Sequence, residues 1–266
     1  MLRPLAGSSA ALGARADWPR RDALQSLVTA AGVTNARGIP LRLVQPASAM
    51  STPYEAAIYE RGELQVRESD WHDLFNVLAW LAYPRTKAAL NGRHVQAAAA
   101  ERRRAQGDAA STVMNRGRVR DALTLFDESG AVFACAEPEL IAELRAFHWK
   151  NLFCVQRELT RAAVRVYVVG HALFEKALNP YIGMTAHALP LVVGADFMTE
   201  PPERQLERVD RLAAEVVADA ARFGTPQSLA PLPVLGVPGW WAENEHEGFY
   251  DNTAYFRPAR RRLVSE

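Results

Sequence analysis

The chain has 266 residues, of which 49% are hydrophobic and 23% are charged, and its formal net charge is +1. These values are typical of a folded globular protein and exclude collagen-like, disordered and disulfide-stapled chains. The small net charge provides no overall field that would attract nucleic acid or an acidic membrane. No apolar run approaches the roughly 20 residues that a membrane-spanning helix needs.

The first half of the chain is predicted to begin with a loose segment, residues 1–15, which lacks the continuous apolar stretch of a secretion signal. Apolar spacing, strand-forming residues and the position of a proline indicate the segments that follow. In chain order they are a helix over 18–33, a strand over 39–45, a β-hairpin over 54–67 turning at Arg61-Gly62, helices over 70–83 and 85–104 divided by Pro84, and a loop over 104–118.

The second half is predicted to contain more strand. The segments are strands over 122–126 and 131–136 joined by a turn at Asp127-Glu128-Ser129-Gly130, a long helix over 138–162, a strand over 163–169, a short helix over 171–178, a strand over 185–193 and an amphipathic helix over 201–223. The extended residues that follow are rich in aromatic side chains. We expect them to wrap across the domain, bury those side chains and form one wall of a pocket.

Helices and strands are mixed without the regular rhythm of a doubly wound sheet, which favours an α+β fold. We expect a single domain over residues 16–258, in which a helical hairpin packs on a small mixed or antiparallel sheet, completed by the extended aromatic-rich C-terminal segment. Residues 259–266 form a basic tail. Cys135 and Cys154 have neither a metal-ligand spacing nor a disulfide framework, which favours the reducing cytoplasm as the location.

The polar face of the first predicted hairpin helix is unusual. At 100° per residue, His72, Asp73 and Asn76 fall within one arc of the helix surface, surrounded by apolar and aromatic residues. A fully solvated face would more often carry glutamate, lysine or arginine. This mixture is typical of a half-buried groove.

The second helix carries Lys87, Asn91 and His94 at the spacing i, i+4 and i+7, again on one face. If Pro84 turns the chain into an antiparallel hairpin, a rise of roughly 1.5 Å per residue places His72 nearly level with His94. We therefore expect the polar residues of both helices to converge on one pocket. The alternative is that they form a solvated face or a structural hydrogen-bond network.

Such a pocket could work with or without a divalent metal. With one, His72, Asp73 and His94 would be its ligands, since imidazole nitrogen and carboxylate oxygen are common ligands. Without one, His72 would be a general base, while Lys87 and Asn91 would stabilise negative charge. The leading interpretation is a hydrolase that acts on a small anionic substrate.

The alternative interpretation is a non-catalytic binding protein. Arginines occur at Arg102–Arg104, Arg116, Arg118 and Arg120, and they could contact nucleic acid. Solvated arginines in a loop are the more common case, and single-strand binders usually interleave aromatic residues with such positive charges. Nucleic acid is therefore not the favoured partner, and no membrane partner is expected.

Weaker signals lie elsewhere. Asp121, Asp127 and Glu128 could supply carboxylates to a metal, but the run Asp-Glu-Ser-Gly favours a turn. Gly170-His171 stands where a strand runs into a helix and is a weak candidate for an anion site. His148 and His187 are interpreted as packing residues.

Six segments, WHDLFN, PRTKAALNGRH, RDALTLFDESG, VVGHALFEK, LPVLGVPGWW and FYDNTAYFRP, together resemble a bacterial family catalogued as domain of unknown function 3025. The resemblance covers roughly residues 18–258. It implies one bacterial domain that occupies nearly the whole chain. It implies no activity and no established catalytic residues, so the functional hypothesis depends on the residues themselves.

Overall fold

The computed structural model describes residues 1–7, 18–46, 52–106 and 116–259. Its helices are α1 (Arg21–Ala30), α2 (Tyr54–Arg61), α3 (Trp71–Ala82), α4 (Pro84–Ala105), α5 (Arg116–Ser129), α6 (Pro138–Ala146), α7 (Arg157–Ala163), α8 (His171–Lys176) and α9 (Pro202–Ala218). Its strands are β1 (Arg42–Val44), β2 (Glu63–Gln65), β3 (Gly130–Cys135), β4 (Val164–Val168), β5 (Thr185–Val192) and β6 (Ala230–Pro233).

Parts of three predicted segments lie outside the described residues. They are positions 8–17 at the start of the chain, 107–115 in the predicted loop and 260–266 in the predicted tail. Within the start of the chain, Leu5 is buried in the hydrophobic core. Among the described helices, none combines the length and the apolar character needed to cross a bilayer.

The main sheet has four strands in the order β4-β3-β5-β6. Strand β3 pairs antiparallel with β4 and parallel with β5, and β5 pairs antiparallel with β6. The predicted small sheet is therefore mixed. Strands β1 and β2 form a separate parallel pair, with α2 between them in the chain.

Apolar layers cover both faces of the main sheet. Along β3, Phe133 and Cys135 belong to one hydrophobic cluster, whereas Val132 and Ala134 belong to the other. This alternation is the two-residue period of a strand with both faces buried. Helices pack on this small sheet, and the predicted α+β class is confirmed.

The predicted hairpin over 54–67 is wrong. Residues Tyr54–Arg61 form helix α2, and Gly62 ends it with a φ of +70°, its N–H donating back to the last turn. Such a left-handed glycine is typical of a helix C-terminus. The glycine interpreted as a hairpin turn therefore stops a helix, and the strand after it pairs with β1.

Two further predictions in the second half are corrected. Residues 122–126 are part of α5 instead of a strand, because Ala122, Leu123 and Phe126 are buried on one face of that helix. The predicted long helix over 138–162 is interrupted. Helix α6 ends at Ala146, and the next residue, Phe147, has a φ of +62°. A short π-helical turn, Asn151–Val155, precedes α7.

The aromatic-rich C-terminal segment packs on the domain as predicted. Tyr250, Tyr255 and Phe256 are buried in the larger hydrophobic cluster. The hydroxyl group of Tyr255 donates to the carbonyl oxygen of Met184 and accepts from the backbone N–H of Leu235. These bonds attach the segment to the strand β5 side of the sheet.

A contact between two glycines joins α5 to α8. The backbone N–H groups of Val169 and Gly170 both donate to the carbonyl oxygen of Gly130, each over 2.9 Å. A methyl group at Gly170 would lie 2.5 Å from the carbonyl oxygen of Glu128, so only glycine permits this approach. The last turn of α5 consequently lies beside His171, the first residue of α8.

Candidate functional site

Two cavities lie among helices α2, α3, α4, α5 and α8. We call them the inner cavity, of about 10 Å³, and the outer cavity, of about 380 Å³. Four residues line both: Tyr54, Glu55, Asn76 and Asp127. The inner cavity is completed by Ile58, Trp80, Lys87, Leu90, Asn91 and His94. The outer cavity is completed by Pro46, Gln65, Arg67, His72, Asp73, Glu128 and His171.

A buried ion pair forms part of the wall of the inner cavity. Lys87 Nζ on α4 lies 2.5 Å from Asp127 Oδ1 on α5, and the lysine side chain is only 4% exposed. Burial raises the pKa of Asp127, but the charges of Lys87 and His171 outweigh this effect and hold the pKa at about 2. The lysine that was expected to bind an anionic group is therefore neutralised by a carboxylate of the protein.

Two histidines meet at the outer cavity. His72 Nε2 on α3 lies 3.1 Å from His171 Nε2 on α8, with the rings edge to face. The His72 side chain is 35% exposed, whereas His171 is buried. Burial and the nearby Lys87 charge lower the pKa of His171 to about 4. His171 is therefore neutral near pH 7.

Three carboxylates surround this histidine pair. Glu175 Oε2 lies 3.4 Å from His72 Nδ1, Asp127 Oδ2 lies 3.7 Å from His171 Nδ1, and Glu128 Oε1 lies 3.6 Å from His171 Nε2. Burial and the charge of Asp127 raise the pKa of Glu128. One ligand atom from each of His72, Glu128 and His171 lies within 4.8 Å of the other two. This geometry is suited to a metal ion or to proton transfer.

Asp73 is engaged by an arginine. Both of its carboxylate oxygens accept from the Arg67 guanidinium over 2.8 Å, and one also accepts from the Arg67 backbone N–H. Burial raises the pKa of Asp73, but the Arg67 bonds outweigh it and lower the pKa. The arginine holds this carboxylate at the rim of the outer cavity.

The inner cavity is lined by amide side chains. Asn91 Nδ2 donates to Glu55 Oε2 over 2.6 Å, and Asn76 Nδ2 donates to the Tyr54 hydroxyl group over 2.8 Å. The Oδ1 atoms of both asparagines are buried without a partner among the described residues. The cavity volume suits one water molecule, which could donate to them. Burial and the charge of Asp127 raise the pKa of Glu55 to about 7.

The structure divides the predicted pocket in two. All six candidate residues line a cavity: His72 and Asp73 line the outer one, Lys87, Asn91 and His94 line the inner one, and Asn76 lines both. His72 and His94 were expected to share one cleft, but they face different cavities. The structure consequently groups His72 with Glu128 and His171, and not with Asp73 and His94.

The residues that complete this group carry only weak signals in the sequence. The turn predicted at Asp127-Glu128 is wrong, because both residues belong to the last turn of α5. His171 was considered only as part of a weak anion site. Glu55 was hidden in a predicted hairpin. The sequence feature that could have indicated these residues is the pair Gly130 and Gly170, since each lies at a junction between a helix and a strand.

The arginines expected to contact nucleic acid are not among the residues that line either cavity, and the side chains of Arg104 and Arg116 lie outside the part of the chain that the structure describes. Arg102, Arg103 and Arg118 are exposed, and Arg120 pairs with Glu101. The C-terminal segment contributes no residue to the lining of either cavity. The expectation that its aromatic side chains form one wall of the pocket is therefore wrong.

Two of the other histidines, His148 and His187, also lie outside the linings of both cavities. His148 lies 3.0 Å from a carboxylate oxygen of Glu143. His187 is half-buried on β5, and burial lowers its pKa.

No curated protein and no solved structure matches the chain. Comparison with protein-family models confirms the resemblance drawn from the six sequence segments. A family model described as a protein of unknown function (DUF3025) matches residues 41–260, most of the chain, and the chain belongs to this family.

Proposed function

We propose that this protein is a hydrolase whose active site is the outer cavity. The observation that carries the proposal is the contact between His72 and His171, with carboxylates on either side of the pair. Two imidazoles in contact with acidic groups at a cavity of this size form a site that can activate water. In this proposal His72, His171 and Glu128 form the reacting centre.

Glu55 is the proposed proton acceptor. Its carboxyl group lines both cavities, and its pKa of about 7 lies near the value at which a general base works best at neutral pH. Asn91 donates to Glu55 Oε2 and orients it. Lys87 and Asn91, expected to hold an anionic group, therefore position Asp127 and Glu55 instead.

The charge of the outer cavity bears on the substrate. Four of its lining residues are acidic, Glu55, Asp73, Asp127 and Glu128, and Arg67 is already bound by Asp73. An anionic group would be repelled there unless a cation accompanied it. The small anionic substrate predicted from the sequence thus depends on a bound cation, whereas a neutral polar substrate does not.

The test is hydrolysis by the purified full chain of chromogenic carboxylic esters, amides and phosphate esters. We expect one class to be cleaved, and we expect His72→Ala and Glu55→Gln each to lower kcat by about 10²-fold or more. His246→Ala, which changes an exposed histidine outside both cavities, is the matched control and should match the wild type. Absence of hydrolysis in every class, or wild-type rates in both variants, would overturn the proposal.

A further inference from the structure

We propose that the outer cavity binds one zinc ion through His72, His171 and Glu128. This inference deepens the proposed function, since it depends on that proposal for the reaction that the ion would serve. The trio differs from the one predicted from the sequence, His72, Asp73 and His94. It joins α3, α5 and α8, elements far apart in the chain.

The distances fit a coordination shell. Nitrogen ligands lie about 2.0–2.1 Å from zinc, so two of them on one ion are about 3.0–3.4 Å apart. His72 Nε2 and His171 Nε2 are 3.1 Å apart. Glu128 Oε1 is 3.6 Å from His171 Nε2, and a rotation of its partly exposed side chain would bring it into the same shell.

The neighbours of the other ring nitrogens favour the tautomer that a metal requires. His72 Nδ1 faces Glu175 Oε2 at 3.4 Å, and His171 Nδ1, which is buried without a hydrogen-bond partner among the described residues, has Asp127 Oδ2 as a neighbour at 3.7 Å. A carboxylate beside Nδ1 favours the proton on that nitrogen and orients the ring of a zinc-bound histidine. Both Nε2 atoms then present lone pairs to each other. Without a cation, one ring would instead hold its proton on Nε2 and donate to the other over the same 3.1 Å, so a cation would take the place of that proton.

The ligand types select the metal class. Two imidazoles and one carboxylate suit zinc and its first-row neighbours better than magnesium or calcium, which prefer oxygen ligands alone. Three protein ligands leave a position open, as in catalytic zinc sites. When bound there, zinc would lower the pKa of a coordinated water and offset the acidic lining of the cavity.

Asp73 and His94 are poorer ligands in this structure. The Asp73 oxygens accept three bonds from Arg67, so binding a metal would require breaking an ion pair. His94 lines only the inner cavity, whose volume of about 10 Å³ suits a single water.

The experiment is a zinc titration of chelator-treated full chain by calorimetry, with metal content measured after dialysis. We expect one equivalent of zinc to bind the wild type, and His72→Ala and Glu128→Gln each to weaken binding by 100-fold or more. Both side chains are partly exposed, so these variants should fold, which circular dichroism will check. His246→Ala and His94→Ala should bind zinc as the wild type does.

A wild type that binds no zinc would overturn the inference, as would unchanged affinity in His72→Ala. Loss of binding in His94→Ala with retention in Glu128→Gln would overturn it in favour of the trio predicted from the sequence. The proposed function fails separately. Zinc binding without hydrolysis supports the metal site and overturns the hydrolase, whereas hydrolysis by a zinc-free protein that does not bind zinc supports the hydrolase alone.

Discussion

Lys87 Nζ on α4 lies 2.5 Å from Asp127 Oδ1 on α5, and the other oxygen of the same carboxylate faces His171 Nδ1. One carboxylate thus connects a buried cation to the histidine pair. The lysine side chain is only 4% exposed, and its Nζ also lies 5.8 Å from the ring centre of Trp80. The pair consequently links the stability of the helices to the geometry of the site.

Replacing Lys87 by an uncharged residue should destabilise the folded protein. Lys87→Met leaves Asp127 charged, buried and without its principal partner, and we expect the free energy of unfolding to fall by about 3–5 kcal/mol. Urea unfolding followed by circular dichroism measures the change. Lys176→Met, which alters an exposed lysine, is the control and should change stability by less than about 0.5 kcal/mol.

The double variant Lys87→Met/Asp127→Leu separates the cost of an unpaired charge from the loss of packing. With both charges absent, no buried ion lacks a partner, so the double variant should be more stable than Lys87→Met alone. A double variant less stable than the single one would mean that the ion pair contributes mainly by contacts other than the charge pairing.

The contact of Gly170 with Gly130 gives a second prediction. Gly170→Ala would push a methyl group against the backbone at Glu128, and we expect a loss of about 2–3 kcal/mol in the free energy of unfolding. Thermal and urea unfolding will measure it. Gly248→Ala is the control, because a methyl group there meets no atom within 4 Å. Equal stability of the two variants would contradict the close approach of α5 and α8.

Part of this site could be predicted from the sequence and part could not. The two helices that carry His72 and Lys87 were predicted because Pro84 and apolar periodicity act locally. The partner of His72 is His171, which is 99 residues away in the chain. No local pattern links positions so distant, since the link is made by the packing of α3 on α8, where the ring of Phe75 stacks on that of Phe174.

The two wrongly predicted turns have a common physical cause. The sequence predicts a hairpin turn at Gly62 and a turn between two strands that ends at Gly130. In the structure, Gly62 ends a helix, and Gly130 begins a strand directly after a helix. Glycine marks a break in both cases, but the sequence alone does not say which elements the break divides. Because turns were predicted at these two places, the helices that carry Glu55 and Asp127 were not recognised, and neither residue was assigned to the site.

The attachment of the C-terminal segment gives a third prediction. Tyr255→Phe leaves the Leu235 N–H and the Met184 carbonyl oxygen buried without the hydroxyl group, and it should lower the free energy of unfolding by about 1–3 kcal/mol. Tyr181→Phe is the control, since Tyr181 is 52% exposed. If urea unfolding finds both variants equal to the wild type, the segment is held by its apolar contacts alone.

The last prediction concerns pH. Burial and Asp127 raise the pKa of Glu55 from 4.5 to about 7, and the charges of Lys87 and the bond from Asn91 only partly oppose them. Since the folded pKa exceeds the unfolded one, Glu55 supports folding fully below about pH 4.5, and this contribution is lost as the pH rises through 7. His94 also lines the inner cavity, and burial lowers its pKa.

Glu55→Gln should therefore gain stability relative to the wild type between pH 4.5 and 7, by up to about 3 kcal/mol, and the difference should be constant above that range. Its amide oxygen can still accept from Asn91, so the hydrogen bond is preserved. Unfolding by urea at half-unit pH steps measures the difference. Glu60→Gln, which changes an exposed glutamate on the same helix, is the control. A Glu55→Gln profile parallel to that of the wild type would mean that Glu55 has its ordinary pKa in the folded protein, and the proposed general base would then be ionised throughout the physiological range.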